Sequence, residues 1–379
     1  MQQNAPFYPV STNETGSNQA LKIFYTSIEQ YFCEAVWVLK NLISIPSFSK
    51  EENKTASFIF DYLSGKGLKP NRKGNNIWAI DFRSKDLPTI LFNSHHDTVK
   101  PTSSWALDPF TPVVREGKLF GLGSNDAGAS VVSQMMAFMI LVQDENRPYN
   151  LVYSATAEEE SSSEGGIESI LGDLGFIDLV LVGEPTQMQP AVAEKGLMVL
   201  ECKVHGKTGH AARNEGINAI YLAMEDIRKI QGLKFPKTSA LLGDVRLSVT
   251  AIKAGNQHNV VPDVCDYLVD VRSNENYTHK EIIDAILEKT KYTEITVSLS
   301  NQKTSVIPLF HPVVKRATEL GLTYFGSSTT SDQMVIPHTS IKIGPGNSAR
   351  SHSADEYIGL DEIRHGIEMY VKLLDGLVI

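Results

Sequence analysis

The chain has 379 residues, more than one ordinary core accommodates, so two domains are expected. Its 42% hydrophobic and 21% charged content is that of a globular protein, and no window is apolar enough to span a bilayer, so no membrane role is expected. A net charge of −9 without any Lys/Arg cluster argues against a nucleic-acid partner and is consistent with carboxylates gathered around a cation.

Residues 1–20 are polar and lack a cationic start followed by an apolar segment, so they read as a loose tail rather than a signal peptide. Cys33, Cys202 and Cys265 stand far apart with no CxxC pairing, which indicates neither a disulfide framework nor a thiolate metal site. A reduced, cytoplasmic setting is the expectation. From Leu21 to about Ile45 apolar residues recur at helical spacing until Pro46 stops the pattern. A second amphipathic helix follows, "ENKTASFIFDYLSGKGL", closed by Gly65 and Gly67. The short apolar runs "NIWAIDF", "TILFNSH", "NLVYSATA" and "DLVLVGE" read as buried strands, with a helix from Ala129 to Gln143 among them. That alternation predicts an α/β domain with a mixed, mainly parallel sheet over 21–194 and 303–379. Between these parts, 195–302, lie the strands "GLMVLECKVHG", "VRLSVTAIKAG", "DYLVDVRSN" and "EITVSLS" and two helices, about Gly216 to Gln231 and His279 to Lys291. Their order, β-α-β-β-α-β, predicts an inserted α+β ferredoxin-like domain. "HPVVKRATELGL" then resumes a helix and "TSIKIGPG" a strand.

In open sheets of the first kind, function collects at the carboxyl ends of strands. "TILFNSHHDTVKP" ends a strand at His95, His96 and Asp97. Side chains alternate along a strand, so His95 and Asp97 share a face while His96 points away. Taken alone, the pair is either a metal ligand with its orienting carboxylate or a hydrogen-bonded histidine at a polar strand end. Asp126 in "LFGLGSNDAGAS" would by itself be a helix N-cap, and Glu158, Glu159 and Glu160 in "TAEEES" a solvated acidic loop. Glu184 in "VGEPT" ends another apolar strand, and His352 lies in the Gly/Pro/Ser-rich loop "IGPGNSARSHSADE". Each bland reading is reasonable singly, but five strand ends of one sheet would all present a histidine or a carboxylate. Such an edge repels itself without a cation, and imidazole with oxygen ligands suits zinc or a similar divalent ion.

In order and spacing, "SHHDTV", "GLGSND", "TAEEES", "VGEPT" and "HSADE" resemble the signature blocks of the M20 metallopeptidase family, which includes acetylornithine deacetylases, succinyl-diaminopimelate desuccinylases, aminoacylases and carboxypeptidases. The resemblance covers nearly the whole chain after the tail, including the inserted lid. It implies two divalent ions per subunit, zinc foremost with cobalt or manganese as alternatives: one held by His95 and Glu184, the other by His352 and Glu160, with Asp126 bridging. It further implies that Asp97 orients His95, that Glu159 is the general base, and that the Asp126–Ala127 peptide is cis. Many members continue after the bridging aspartate with Met-Lys-Gly, whereas this chain reads Ala127-Gly128-Ala129. From the residues alone His210 in "HGKTGHAARN" is a loop residue; by resemblance it reaches a substrate oxyanion across a homodimer. Asn259 and Arg272 match positions that bind a substrate carboxylate, a task for which the planar guanidinium fork is suited. Asp332 and the Gly344–Gly346 turn are expected in the pocket lining. Arg350, two residues before His352, either pairs with the distal carboxylate of a succinyl group or is a surface arginine. The implied activity is removal of the acyl group from an N-acyl amino acid. The acetylornithine deacetylase group is the nearest in look; a desuccinylase, a dipeptidase or aminoacylase, and a catalytically dead zinc-binding module are the alternatives.

Overall fold

The computed structural model describes residues 17–379 except 214, with the side chains of 17–27 and 299–302 outside the description. The chain opens with helices α1 (Ser17–Ile43) and α2 (Asn53–Gly65), then strands β1 (Asn71–Lys73), β2 (Asn76–Asp81), β3 (Thr89–His95), β4 (Val113–Arg115) and β5 (Lys118–Phe120). Helix α3 (Ala129–Leu141), β6 (Asn150–Thr156), α4 (Leu171–Leu174), β7 (Leu179–Val182) and β8 (Ala191–Glu194) complete the first segment. The expected tail ends earlier than its composition suggests: residues 17–20 already belong to α1, and 1–16 lie outside the described residues.

A second unit follows: β9 (Gly196–His205), β10 (Gly209–His210), α5 (Ala219–Gly232), β11 (Arg246–Ala254), β12 (Val260–Val261), β13 (Val264–Ser273), α6 (His279–Lys289) and β14 (Thr293–Gln302). The chain then returns through β15 (Ser305–Val306), α7 (Pro312–Glu319), β16 (Phe325–Ser327), β17 (Ser340–Lys342), β18 (Tyr357–Gly359) and α8 (Leu360–Leu374).

The main sheet has nine strands in the order β1-β2-β6-β3-β7-β17-β8-β15, with β16 branching from β8. Its centre, β6-β3-β7-β17, is parallel, and the flanks are antiparallel except for β16, which pairs with β8 in parallel. Both faces of the central strands are covered, which is why they read as unbroken apolar runs. Alternation sorts their side chains: Ile90, Phe92, Leu179 and Leu181 join the core beneath α1, α3 and α8, while Leu91, Val180 and Val182 join a second cluster on the opposite face. Burying each such side chain contributes roughly 1.5–3 kcal/mol. Helix α8 was not singled out from the sequence, although Ile363, Ile367, Tyr370, Val371 and Leu374 recur at helical spacing and are buried. The small sheet β18-β5-β4 was also missed, because its three-residue strands are too short to show a period.

The second unit has its own four-stranded antiparallel sheet, ordered β11-β13-β9-β14, and its own apolar cluster. With α5 and α6 in place this is the ferredoxin-like order. The chain leaves the main sheet after Glu194 and rejoins it at Ser305, whose strand pairs back onto β8.

Candidate metal centre

Four parallel strands end on one rim. The β3–β6 register sets His95 opposite Thr156, so the loop after β6 starts beside the histidine. The Nε2 of His95 lies 3.3 Å from Asp126 Oδ1, 3.6 Å from Glu184 Oε1 and 3.9 Å from Glu159 Oε2. His352 approaches from its own loop: Nε2 is 2.9 Å from Glu160 Oε2 and 3.8 Å from Asp126 Oδ2. Asp126 thus stands between two imidazole–carboxylate pairs. Donor atoms of His95, Asp126 and Glu160 all lie within 4.8 Å of one another. These side chains, His95 excepted, line a cleft of about 490 Å³.

Local backbone aims each group. Glu158 takes a left-handed conformation at φ 61, which turns the chain so that Glu159 and Glu160 face the cleft while Glu158 does not line it. Asp97 holds this turn. Its Oδ1 accepts from the Glu159 amide at 3.2 Å, and its Oδ2 from the Glu160 amide at 3.1 Å and the Ser49 hydroxyl at 2.5 Å. Its Oδ1 also sits 3.3 Å from His95 Nδ1, whose hydrogen bond is to the Asp97 carbonyl at 3.1 Å, so one residue orients both the histidine and the acidic pair. His96 points the other way, as alternation requires, into a buried network with Thr55 Oγ1 and the Asn75 carbonyl. The Asp126–Ala127 peptide is cis. A side chain at Gly344 would collide with the backbone of Glu184, which explains the glycine in that turn.

Glu356 escaped the sequence reading although it closes the quoted "HSADE" block. It is buried, and it accepts from the amides of Gly123 at 3.0 Å, Asn125 at 2.7 Å and Asp126 at 2.9 Å. It therefore shapes the turn that presents Asp126. Asp332 is likewise buried, accepting from Asn93 Nδ2 at 2.7 Å and Thr156 Oγ1 at 3.2 Å. It supports the strand ends from below rather than lining the cleft. The only sequence signal for either residue was an acid in a loop, which is usually solvated.

The electrostatics are those of a cation site. Burial pushes the Glu159 carboxyl well above the usual range, with Glu184, Asp332 and Glu160 adding to it. Burial and then Asp126 do the same to Glu184. Burial opposes a charge on His95, but Asp126 and Asp97 override it and raise the imidazole well above its ordinary value. The hydrogen bond with Glu160 pushes His352 up to about 9. A divalent ion bound among these oxygen and imidazole donors would compete with protons for them. The donor set fits such an ion: imidazole nitrogens and carboxylate oxygens, with the Asp97 carboxylate behind His95.

Residues 91–376 match the model of peptidase family M20/M25/M40. The chain belongs to this family. M20 members are metal-dependent hydrolases, and the α/β architecture with its mixed sheet is theirs. An aminohydrolase described as putative, from methicillin-resistant Staphylococcus aureus, is similar in structure at TM-score 0.76 and 18% identity, covering 92% of this chain and 98% of that one. Aminopeptidase PepT from Bacillus cereus is similar at TM-score 0.74 and 19% identity, covering 90% and 97%. The YXEP protein of Bacillus subtilis, a dinuclear metal-binding peptidase from the M20 family, is similar at 0.71 and 15% identity, covering 92% and 100%.

The remaining expected site residues of this M20 chain fall in three places. Arg272, on β13 of the second unit, lines the cleft; its guanidinium is paired with Asp270 at 2.9 and 3.1 Å, and its Nη1 lies 3.5 Å from Thr330 Oγ1. His210 and Asn259 lie together, on and just before the paired strands β10 and β12, where the Ala211 amide donates to the Asn259 carbonyl at 3.0 Å. Both are exposed, and neither lines the cleft. Arg350 is placed differently from the succinyl-pairing expectation. Its Nη1 donates to Glu362 Oε2 at 2.6 Å and its guanidinium stacks 4.5 Å from the Tyr357 ring centroid, so the side chain is committed to the start of α8 and does not line the cleft. Among the described residues no helix is long and apolar enough to cross a membrane.

Proposed function

We propose that this chain is an amidohydrolase that removes the acyl group from an N-acyl amino acid, foremost N-acetyl-L-ornithine or its N-succinyl counterpart, in arginine biosynthesis. The observation that carries the reading is the sharing of one cleft. Glu159 faces His95 at 3.9 Å next to the donor cluster, and Arg272 opens into the same space from the second unit. Apart from the four acids of the metal cluster, the wall offers no carboxylate to receive a free α-ammonium. Among the described residues it offers hydroxyls, the Arg272 guanidinium and Lys342 instead, which suit an acylated nitrogen and a carboxylate.

His95 and Glu184 would hold one ion, His352 and Glu160 the other, with Asp126 between them. When bound, two divalent ions supply a water whose pKa is lowered to roughly 7 and a polarised scissile carbonyl. Zinc suits the donors best, with cobalt or manganese as alternatives. Glu159 takes the proton of the attacking water and delivers it to the leaving amine. Asp97 keeps His95 and the Glu159–Glu160 turn in register. Arg272 receives the substrate carboxylate, with Asn259 assisting. His210 of a second copy donates to the oxyanion.

The homodimer in this reading is supported by the surface of the second unit, where Ile217, Tyr221, Met224 and Val260 are 51%, 70%, 42% and 41% exposed and Val260 pairs with His210. The cytoplasm is supported by Cys202 and Cys265, buried and unpaired. A second reading, dipeptide hydrolysis, is favoured by the similarity to solved peptidases, and diaminopimelate desuccinylation shares the same site chemistry. A non-catalytic zinc-binding role would need an empty base or donor position, and each is filled.

The test is a panel of metal-loaded enzyme with N-acetyl-L-ornithine, N-succinyl-L-ornithine, N-succinyl-diaminopimelate and a dipeptide. The highest kcat/KM is expected on an acyl-ornithine. A preference for the dipeptide would replace this substrate assignment with the second reading.

A further inference from the structure

The cleft wall contains a buried ion pair that none of the steps above uses. Lys342 Nζ lies 2.6 Å from Glu194 Oε2, with side chains only 3% and 0% exposed. Both residues also bind one loop. Lys342 Nζ donates to the Thr329 carbonyl at 3.0 Å and to its hydroxyl at 3.3 Å. Glu194 accepts from the Ser331 amide at 3.0 Å and from its hydroxyl at 2.7 Å. The loop is thus gripped at a carbonyl by a cation and at an amide two residues on by an anion. One residue further, Asp332 is anchored beneath the strand ends by Asn93 and Thr156. Between the grips stands Thr330, the residue that Arg272 reaches from the second unit.

Position gives the pair its meaning. Glu194 is the last residue of β8, and β9 of the second unit begins at Gly196. Glu194 is in register with Ser327 on one side and Ser305 on the other, the point at which the chain returns. The Lys195 amide donates to the Ser327 carbonyl at 3.1 Å. The root of the lid and the loop forming one wall of the cleft are therefore fastened at the same residues. Hydrophobic side chains could fill this site, and a buried ion pair is not needed for stability alone. Its directional bonds to Thr329 and Ser331 are what an apolar pair would lack.

We propose that Glu194 and Lys342 are positioning residues that clamp the 327–332 loop to the root of the lid, so that Thr330 and the lid arginine meet in one arrangement and form the substrate-carboxylate end of the cleft. The kinetic consequence rests on the hydrolase reading; the clamp itself does not. Each grip acts on substrate binding and not on the proton transfers of Glu159, so its loss raises KM, leaves kcat nearly unchanged and, because Lys342 is a cation acting on Glu184, does not weaken metal binding.

The experiment uses the full-length enzyme and three variants: Lys342→Met, Glu194→Gln and the double variant, which leaves no unpaired charge buried if a single variant fails to fold. Backbone hydrogen exchange over 327–334 is read alongside kcat and KM on N-acetyl-L-ornithine and zinc affinity by chelator competition. Expected are exchange faster by about tenfold or more in that peptide, KM raised about tenfold with kcat within about threefold, and no loss of zinc affinity. Unaltered exchange in the folded variants would overturn the clamp. Faster exchange with an unchanged KM, or losses confined to kcat or zinc binding, would overturn its link to substrate. Should the parent enzyme not turn over N-acetyl-L-ornithine, the assigned substrate falls while the exchange measurement still decides the clamp.

Discussion

Replacing Glu356 by alanine should damage the metal centre without removing any residue of the donor cluster. Its carboxylate accepts three buried amides, from Gly123, Asn125 and Asp126, at 2.7 to 3.0 Å. Each orphaned buried N–H costs about 1–3 kcal/mol, so the three together cost roughly 3–9. Part of this is offset, because burial and the neighbouring Asp126 push the Glu356 carboxyl up to about 8, and removing it relieves that repulsion. The net expectation is a loss of about 3–5 kcal/mol in metal-free protein, measured by urea denaturation, the lower part of the range for three orphaned amides. Because the freed turn carries Asp126, metal affinity measured by chelator competition should fall about 10–100-fold, as it does when support behind a ligand is lost. Glu356→Gln keeps one acceptor and should show a smaller change in both. A Glu356→Ala variant with unaltered denaturation midpoint and zinc affinity would refute the reasoning, because the three amides would then have found other partners.

Glu159→Gln should retain zinc while losing hydrolysis by about 10²–10⁴-fold, as expected for removal of a general base; full activity would refute the base assignment. Arg272→Lys should raise KM with little change in kcat, because an ammonium cannot reproduce the bidentate fork; kinetics on N-acetyl-L-ornithine check this. In the second unit, the buried Asp226 accepts from the amides of Lys291, Tyr292 and Thr293 at 2.7 to 3.0 Å. Burial pushes its carboxyl up, but those bonds, the Thr293 hydroxyl and Lys229 outweigh it and hold the pKa below the usual range. A depressed folded pKa stabilises above the unfolded value of about 3.9 and loses its effect as pH falls through the folded one. Asp226→Asn should therefore cost about 1–3 kcal/mol at pH 7, with the difference from the parent shrinking in acid denaturation below about pH 4; an equal difference at both pH values would refute it.

Much of the fold is local and was legible as such. The central strands β3, β6 and β7 are buried on both faces, so each reads as a largely apolar run whose end is marked by its first charged or imidazole residues. Those residues are His95, the 158–160 acids and Glu184, because a chain leaving the sheet at the rim meets the cleft at once. The lid helices carried their own signals, including the Thr278–Glu281 capping box. Short strands such as β4, β5 and β18 carried none, since three residues hold neither period nor cap.

Residue type and order along the chain were enough to single out histidines and carboxylates that follow apolar strands, because side-chain chemistry and strand alternation are properties of short segments. Pairing across the fold was decided elsewhere. Asp97 holds the Glu159 and Glu160 amides 62 and 63 residues away, Glu356 grips a turn 230 residues earlier, and Lys342 meets Glu194 at the root of the lid. Arg350, close to His352 in the chain, turns instead to Glu362 and Tyr357. Such partners are selected by burial: a charge taken out of water must find its counterpart wherever the packed strands and loops place one, and sequence distance does not enter that condition.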